Sequence, residues 1–96
     1  MNQEENTNSY PLPSDKMYTI YTKSKCTYCT KVKDYLDDIG FEYNIILCDD
    51  FLVKKIEFLE FIESIAGVPH NTFPIVFHKG QFVGGYNDTL KYCAFQ

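Results

Sequence analysis

The stretch that decides the fold runs from Met17 to Cys48, MYTIYTKSKCTYCTKVKDYLDDIGFEYNIILC, and it reads as strand, loop, helix and strand. Met17 to Thr22 alternates and is rich in β-branched and aromatic residues, as a strand requires. Lys23 to Lys25 is a short polar loop. Beyond it Val32, Leu36 and Ile39 recur at helical spacing, and Gly40 can supply the left-handed residue that ends a helix. Phe41 to Cys48 is a second strand, closing on the unbroken run Ile45-Ile46-Leu47-Cys48. A strand, a helix and a strand in succession imply a right-handed crossover between parallel strands.

Downstream, a second helix is predicted from about Leu52 to Ile65. Its broad apolar face holds Leu52, Ile56 and Leu59 together with Phe58, Ile62 and Ile65, and Gly67 closes it. Pro74 to Phe77 and Gln81 to Val83 are short strands separated by a Lys79-Gly80 hairpin signal. Asn87 to Phe95 is long enough for a short last helix, with Asn87 or Asp88 as its N-cap. The order β-α-β-α-β-β-α predicts an α/β, thioredoxin-like fold, a four-stranded mixed sheet flanked by helices. Residues 1–16 are polar, with two Pro and Leu12 as their one aliphatic residue, and are expected to form a flexible or loosely docked tail. Residues 17–96 are then a single domain.

Composition narrows the function. The chain is 45% hydrophobic and 23% charged, with eight Tyr and eight Phe to fill a core, as for an ordinary soluble domain. A net charge of −4 argues against general nucleic-acid binding, which expects a basic stripe. No apolar run approaches the roughly 18 residues of a membrane span. The polar, acidic start (Asn2, Gln3, Glu4, Glu5) is unlike a secretory signal, so a cytoplasmic location with reduced thiols is expected. All nine basic residues are Lys, so anions must be held by ammonium groups or backbone amides rather than by a bidentate guanidinium.

Cys26-Thr27-Tyr28-Cys29 lies where the first strand gives way to the first helix. A thiol at a helix N-terminus faces unpaired backbone N–H groups and the positive end of the macrodipole, and both favour thiolate. Cys29 falls one turn on, where its sulfur can close a disulfide or resolve a mixed one. Zinc is the competing reading, but Cys48, Cys93, His70 and His78 supply no second close pair of ligands. Two inert cysteines capping a helix are the other alternative. Lys23, Lys25, Lys31 and Lys33 cluster at the helix start while Asp37 and Asp38 sit at its end, the reverse of what the dipole prefers. Such a violation points to function, with an ordinary solvated charged helix as the plain alternative. Cys48 and Cys93 read as packing residues and His78 as a strand-end residue. His70 reads the same way, the alternative being charge lent to a bound carboxylate at low pH.

These motifs resemble the glutaredoxin family, whose usual site is Cys-Pro-Tyr-Cys preceded at the same spacing by a Lys, here Lys23. Thr72-Phe73-Pro74 is similar to the family's Thr-Val-Pro, with a cis proline facing the active site. Gly84-Gly85-Tyr86-Asn87-Asp88 is similar to its Gly-Gly-x-x-Asp signature. The resemblance implies a glutathione-dependent thiol–disulfide oxidoreductase with Cys26 as nucleophile and Cys29 as resolving thiol. It implies glutathione bound by Lys23, Tyr28, Thr72, Phe73, Pro74, Gly85, Tyr86, Asn87 and Asp88, with no obligatory metal. Implied partners are glutathione and glutathionylated or disulfide-containing proteins such as ribonucleotide reductase, and the chain itself is expected to be a monomer. Thr27 replaces the family's proline, and a small polar residue there sometimes accompanies a glutathione-ligated 2Fe-2S cluster. An iron–sulfur carrier or sensor is therefore one alternative function, and a glutaredoxin-like protein served by thioredoxin reductase is another. Leu59 and Asn71 stand where many members carry an amide or a cation, which leaves Lys23 more of the anchoring and implies weakened glutathione affinity.

Overall fold

The computed structural model describes residues 10–95. Four strands, β1 (Tyr18–Thr22), β2 (Tyr43–Leu47), β3 (Ile75–His78) and β4 (Gln81–Gly84), form one sheet in the order β2-β1-β3-β4. Three helices accompany it: α1 (Thr27–Ile39), α2 (Lys55–Ala66) and α3 (Tyr86–Ala94). β1 and β2 run parallel, joined by α1, and β3 lies antiparallel to both β1 and β4. This is the thioredoxin-like architecture expected from the element order. No helix among the described residues is long and apolar enough to cross a membrane.

β1 sits inside the sheet and is buried along its whole length, so its alternating side chains feed two cores. Tyr18 and Ile20 pack with Val32 and Leu36 of α1 and Cys93 of α3. Tyr21 packs on the opposite face with Phe58 and Ile62 of α2 and Phe77 of β3. Thr19 is buried too, and its hydroxyl bonds the side-chain carbonyl of Asn44 at 2.7 Å. Gly40 ends α1 at φ 84°, its amide bonding the Asp37 and Leu36 carbonyls, as the sequence predicts.

Three expectations change. The second helix begins later: Asp49–Lys54 is a 3₁₀ helix, and α2 starts at Lys55. Within α2 itself Ile56 falls on the opposite side from Phe58 and Ile62, because two residues turn an α-helix by about 200°. Phe58 and Ile62 are buried while Ile56 is 76% exposed. The run at the end of the second strand is likewise not all core. β2 is an edge strand, so Ile45 and Leu47 are exposed, and Cys48 is buried just beyond its end. Last, the N-cap of α3 is Gly85, not Asn87 or Asp88, and Asp88 instead accepts the Gly85 amide at 3.0 Å from the N3 position.

The first nine positions of the expected flexible tail lie outside the described residues. From Tyr10 onward the segment is docked on the domain, the second of the two expected states. The Tyr10 ring stands 5.1 Å from Phe51, 5.4 Å from Phe58 and 5.1 Å from Phe61, and its hydroxyl donates to Glu57 at 2.9 Å. Tyr21 donates to the Pro11 carbonyl at 2.7 Å, and the Ser14 amide to Thr19 at 2.9 Å. An aromatic anchor among polar neighbours carries no periodicity, so its docking is not visible from sequence. Tyr10→Ala should cost about 2 kcal/mol, roughly half the loss of a fully buried ring. Urea unfolding of the variant beside the wild type checks this, with a lower midpoint at unchanged slope expected.

Candidate active site

Cys26 is the hinge between β1 and α1. Its backbone is extended (φ −116°, ψ 103°), Thr27 begins the helix, and the Cys26 sulfur accepts the Cys29 amide at 3.2 Å. The sulfur thus takes the position that a Ser or Asp oxygen usually holds at an N-cap. Cys26 and Cys29 are joined as a disulfide with Cα atoms 5.3 Å apart, and Cys29 is buried while Cys26 is partly exposed. The outer sulfur is therefore the one a substrate can reach. α1 carries no acidic residue in its first turn and no basic residue in its last, so the inverted charge pattern persists in three dimensions. Lys33 forms no ion pair with Asp37, whose carboxylate instead accepts the Tyr43 hydroxyl at 2.7 Å. That bond, with some burial, pushes the Tyr43 phenol up to about 12.

The loop before Cys26 is tied down from the far side. Asp49, opening the 3₁₀ helix, accepts the Ser24 amide at 2.8 Å and also bonds the Ser24 hydroxyl. These two bonds, with help from the Lys23 charge, hold the Asp49 carboxyl below its usual range. Lys25 follows at φ 57°, a left-handed conformation that a non-glycine residue adopts at a cost.

Tyr28, which lies between the two cysteines in sequence, lines one groove, and the disulfide itself walls a second. The first, of about 380 Å³, brings together Tyr28, Thr72, Phe73, Pro74, Gly85, Tyr86, Asn87 and Asp88. Eight of the nine residues expected to bind a tripeptide thus share one depression, though they come from α1, the loop before β3 and the start of α3. The Phe73-Pro74 bond is cis, and Tyr28 is 52% exposed with its ring 5.4 Å from that of Tyr86. Lys23, the ninth, lies at the border, its Nζ 5.8 Å from the Phe73 ring centre. The second groove, of about 530 Å³, is walled by Cys26 and Cys29 themselves, with Lys23, Lys25, Lys33 and Ile45 around them.

The structure gives further residues a part in the site: Gly84 and His70, which the sequence reading named, and Asp49 and Ile45, which it did not single out for the site. Gly84 stands at φ 129°, and a Cβ there would collide with the Asp88 side chain, so the glycine is needed for the capping turn. His70 lines the smaller groove, with its Nε2 buried and unpartnered among the described residues, and its ring lies beside Gly85. Its proximity to Pro74 in sequence was the available signal. Asp49 and Ile45 had none, because their roles depend on chain reversal.

The donor set does not fit a metal held by the protein: among the described residues no three His, Cys, Asp or Glu side chains gather as ligands. Cys48 lies in the core on the α2 face, where burial pushes its thiol up to about 12. Cys93 packs on the other face, 3.3 Å from the Tyr18 hydroxyl. His78 is only partly exposed. It bonds the Tyr92 hydroxyl at 2.7 Å and stacks on Tyr18 at 4.1 Å, so it belongs to the packing beneath α3 rather than to an open strand end.

The site thus combines a thioredoxin-like sheet, a Cys-x-x-Cys pair at the first helix N-terminus and a cis-proline before β3. The glutaredoxin family model matches residues 18–83, and the chain belongs to that family. It is 32% identical over 78 residues to mitochondrial glutaredoxin-2 of Homo sapiens, a match covering 81% of this chain and 46% of that protein. The chain thus spans about half the length of the curated relatives it matches. Among solved structures it is similar to glutaredoxin 1 of Francisella tularensis in complex with cacodylate. That similarity has a TM-score of 0.72 at 20% identity, over 81% of this chain and 92% of the other. It is also similar to a buckwheat glutaredoxin–glutathione complex (TM-score 0.67, 22% identity, 85% and 72% covered).

The Asp49 anchor gives a pH prediction. A carboxyl with a depressed folded pKa contributes stability above its unfolded value of about 3.9, and loses it as pH falls through the folded value. Asp49→Asn should therefore melt lower than the wild type at pH 7, with the gap closing in acid below pH about 4. Thermal unfolding of both proteins from neutral pH to pH about 2 measures it.

Proposed function

We propose that this chain reduces disulfides by glutathione-dependent thiol–disulfide exchange. The observation that carries the reading is the partly exposed Cys26 sulfur held at a helix N-terminus, beside a groove whose far wall is a second helix N-terminus. The Cys29 amide that bonds the sulfur in the disulfide would stabilise a Cys26 thiolate once the pair is reduced. The groove suits an extended tripeptide. Thr72, Phe73 and Pro74 offer backbone along one side, and the start of α3 offers amides to a carboxylate. Lys23 at the border adds a cation for the other carboxylate. The buckwheat relative, solved as a glutathione complex, supports the assignment.

The chemistry balances as follows. The Cys26 thiolate attacks the glutathionyl sulfur of a mixed disulfide, and the substrate thiolate leaves and takes a proton. A second glutathione then attacks the Cys26–glutathione bond, releasing glutathione disulfide and restoring the thiolate. With a disulfide in a protein, Cys29 supplies the second attack instead. The product is the Cys26–Cys29 disulfide, the state in which the pair is found here.

Two variants test this. Cys29→Ser should keep most of its turnover of small glutathione mixed disulfides but lose much of its turnover of protein disulfides, because only the second route needs a resolving thiol. Equal losses on both would show the two cysteines wrongly assigned. Lys23→Ala should raise the apparent KM for glutathione roughly fivefold, and the effect should shrink as salt screens an exposed contact. Steady-state kinetics across a salt series reads it, and an unchanged KM would move the carboxylate site elsewhere. Running the coupled assay with thioredoxin reductase in place of glutathione tests the rival electron source.

A further inference from the structure

The smaller groove accounts for the expected tripeptide contacts, but the larger one has no assigned occupant. It lies between the start of α1 and edge strand β2, and both Cys26 and Cys29 form part of its wall. Three of the chain's nine lysines line it, Lys23, Lys25 and Lys33, although the chain as a whole carries −4. Among the described residues, no ion pair neutralises Lys25 or Lys33. Lys25 keeps its side chain at φ 57°, where glycine or asparagine would be easier, so the ammonium is retained against a backbone cost. At the groove's outer end Ile45 is 42% exposed, and Leu47, two residues along the same face of β2, is 58% exposed. An open groove with a cationic wall, an aliphatic end and the reactive disulfide inside is shaped for an extended partner rather than for a small neutral molecule.

We propose that this α1–β2 groove docks the protein disulfide substrate, and that the segment it accepts is acidic with an aliphatic residue beside its cysteine. The proposal rests on Cys26 being the attacking thiol, as in the preceding section. Acidic side chains meet Lys25 and Lys33, the aliphatic residue covers Ile45, and the substrate disulfide lies over Cys26. The reduced pair donates two electrons: Cys26 thiolate opens the substrate disulfide to a mixed disulfide, and Cys29 thiolate displaces the second substrate sulfur. The enzyme ends as Cys26–Cys29 disulfide and the peptide as dithiol, its sulfurs taking up the two protons the cysteines gave. Two glutathione molecules then return the enzyme to its dithiol, the first forming a mixed disulfide with Cys26 and the second displacing it as glutathione disulfide.

The test uses pre-reduced, desalted protein in single turnover with two quenched-fluorescence peptide disulfides, identical except for Glu or Lys around a Leu-Cys core. The Glu peptide should be reduced roughly tenfold faster or more at low salt, the advantage falling as salt is added. Lys33→Glu and Ile45→Glu, both at solvent-exposed positions, should each erase most of that preference. Neither should change the iodoacetamide reactivity of Cys26, or the turnover of a small glutathione mixed disulfide, by more than about twofold. No Glu preference in the wild type, a preference that survives both variants, or an equal loss on the small disulfide would each overturn the groove assignment. Because the peptide assay contains no glutathione, a failure confined to glutathione turnover would strike the proposed function and leave the groove standing.

Discussion

The amide of Cys29 points at the sulfur of Cys26 across 3.2 Å, and much of this molecule is arranged around that contact. A helix start leaves backbone N–H groups without partners, and a small oxygen-bearing side chain normally satisfies one of them. Here a sulfur does so, and it is also bonded to the residue that follows by one turn. Structural cap and reactive atom are one and the same. Reduction to a thiolate would strengthen the hydrogen bond while it frees the nucleophile, so local helix stability and chemical readiness rise together.

Holding that contact at an accessible edge takes support from both faces of the sheet. β1, buried on both sides, delivers Cys26 at the end of an inner strand. α1 is held from below by Val32 and Leu36, leaving its polar side, with Lys31 and Lys33, toward solvent. On the opposite face, Phe58 and Tyr21 sit in an aromatic layer that Tyr10 completes from outside the sheet. Asp49 then fixes the connecting loop through Ser24. Each element adds a modest increment, and together they leave one partly exposed sulfur in the wall of a groove.

Much of this was legible in the sequence, for physical reasons. The alternation of residues 17–22 and the spacing of Val32, Leu36 and Gly40 report burial directly, because periodicity is what a sheet face or a helix stripe imposes. The three short motifs placed eight residues from separate elements into one depression. Reading failed where local pattern and global position part company. Ile45 and Leu47 look like core residues until β2 proves to be an edge strand, and Ile56 looks like core when grouped with Leu52, but α2 starts only at Lys55 and turns Ile56 away from Phe58 and Ile62. Gly85 displaced Asn87 and Asp88 as the cap because the turn before α3 is set by Gly84 and by the Asp88 carboxylate reaching back, a tertiary detail. Tyr10 and Asp49 act across 47 and 25 residues of chain, beyond any local signal.

The remaining two cysteines lie in separate cores on opposite faces of the sheet, Cys48 beneath α2 and Cys93 beneath α3. The sheet that divides them keeps their sulfurs from meeting each other, and burial keeps both from the pair at the edge. The four cysteines of the chain therefore amount to a single two-electron couple. A folded sample titrated with a mild oxidant should reach its end point after one disulfide equivalent, with two thiols left that only unfolding uncovers. Under the proposed function this fixes the stoichiometry: each molecule would accept or deliver electrons in one discrete pair, with no internal reservoir to blur the count.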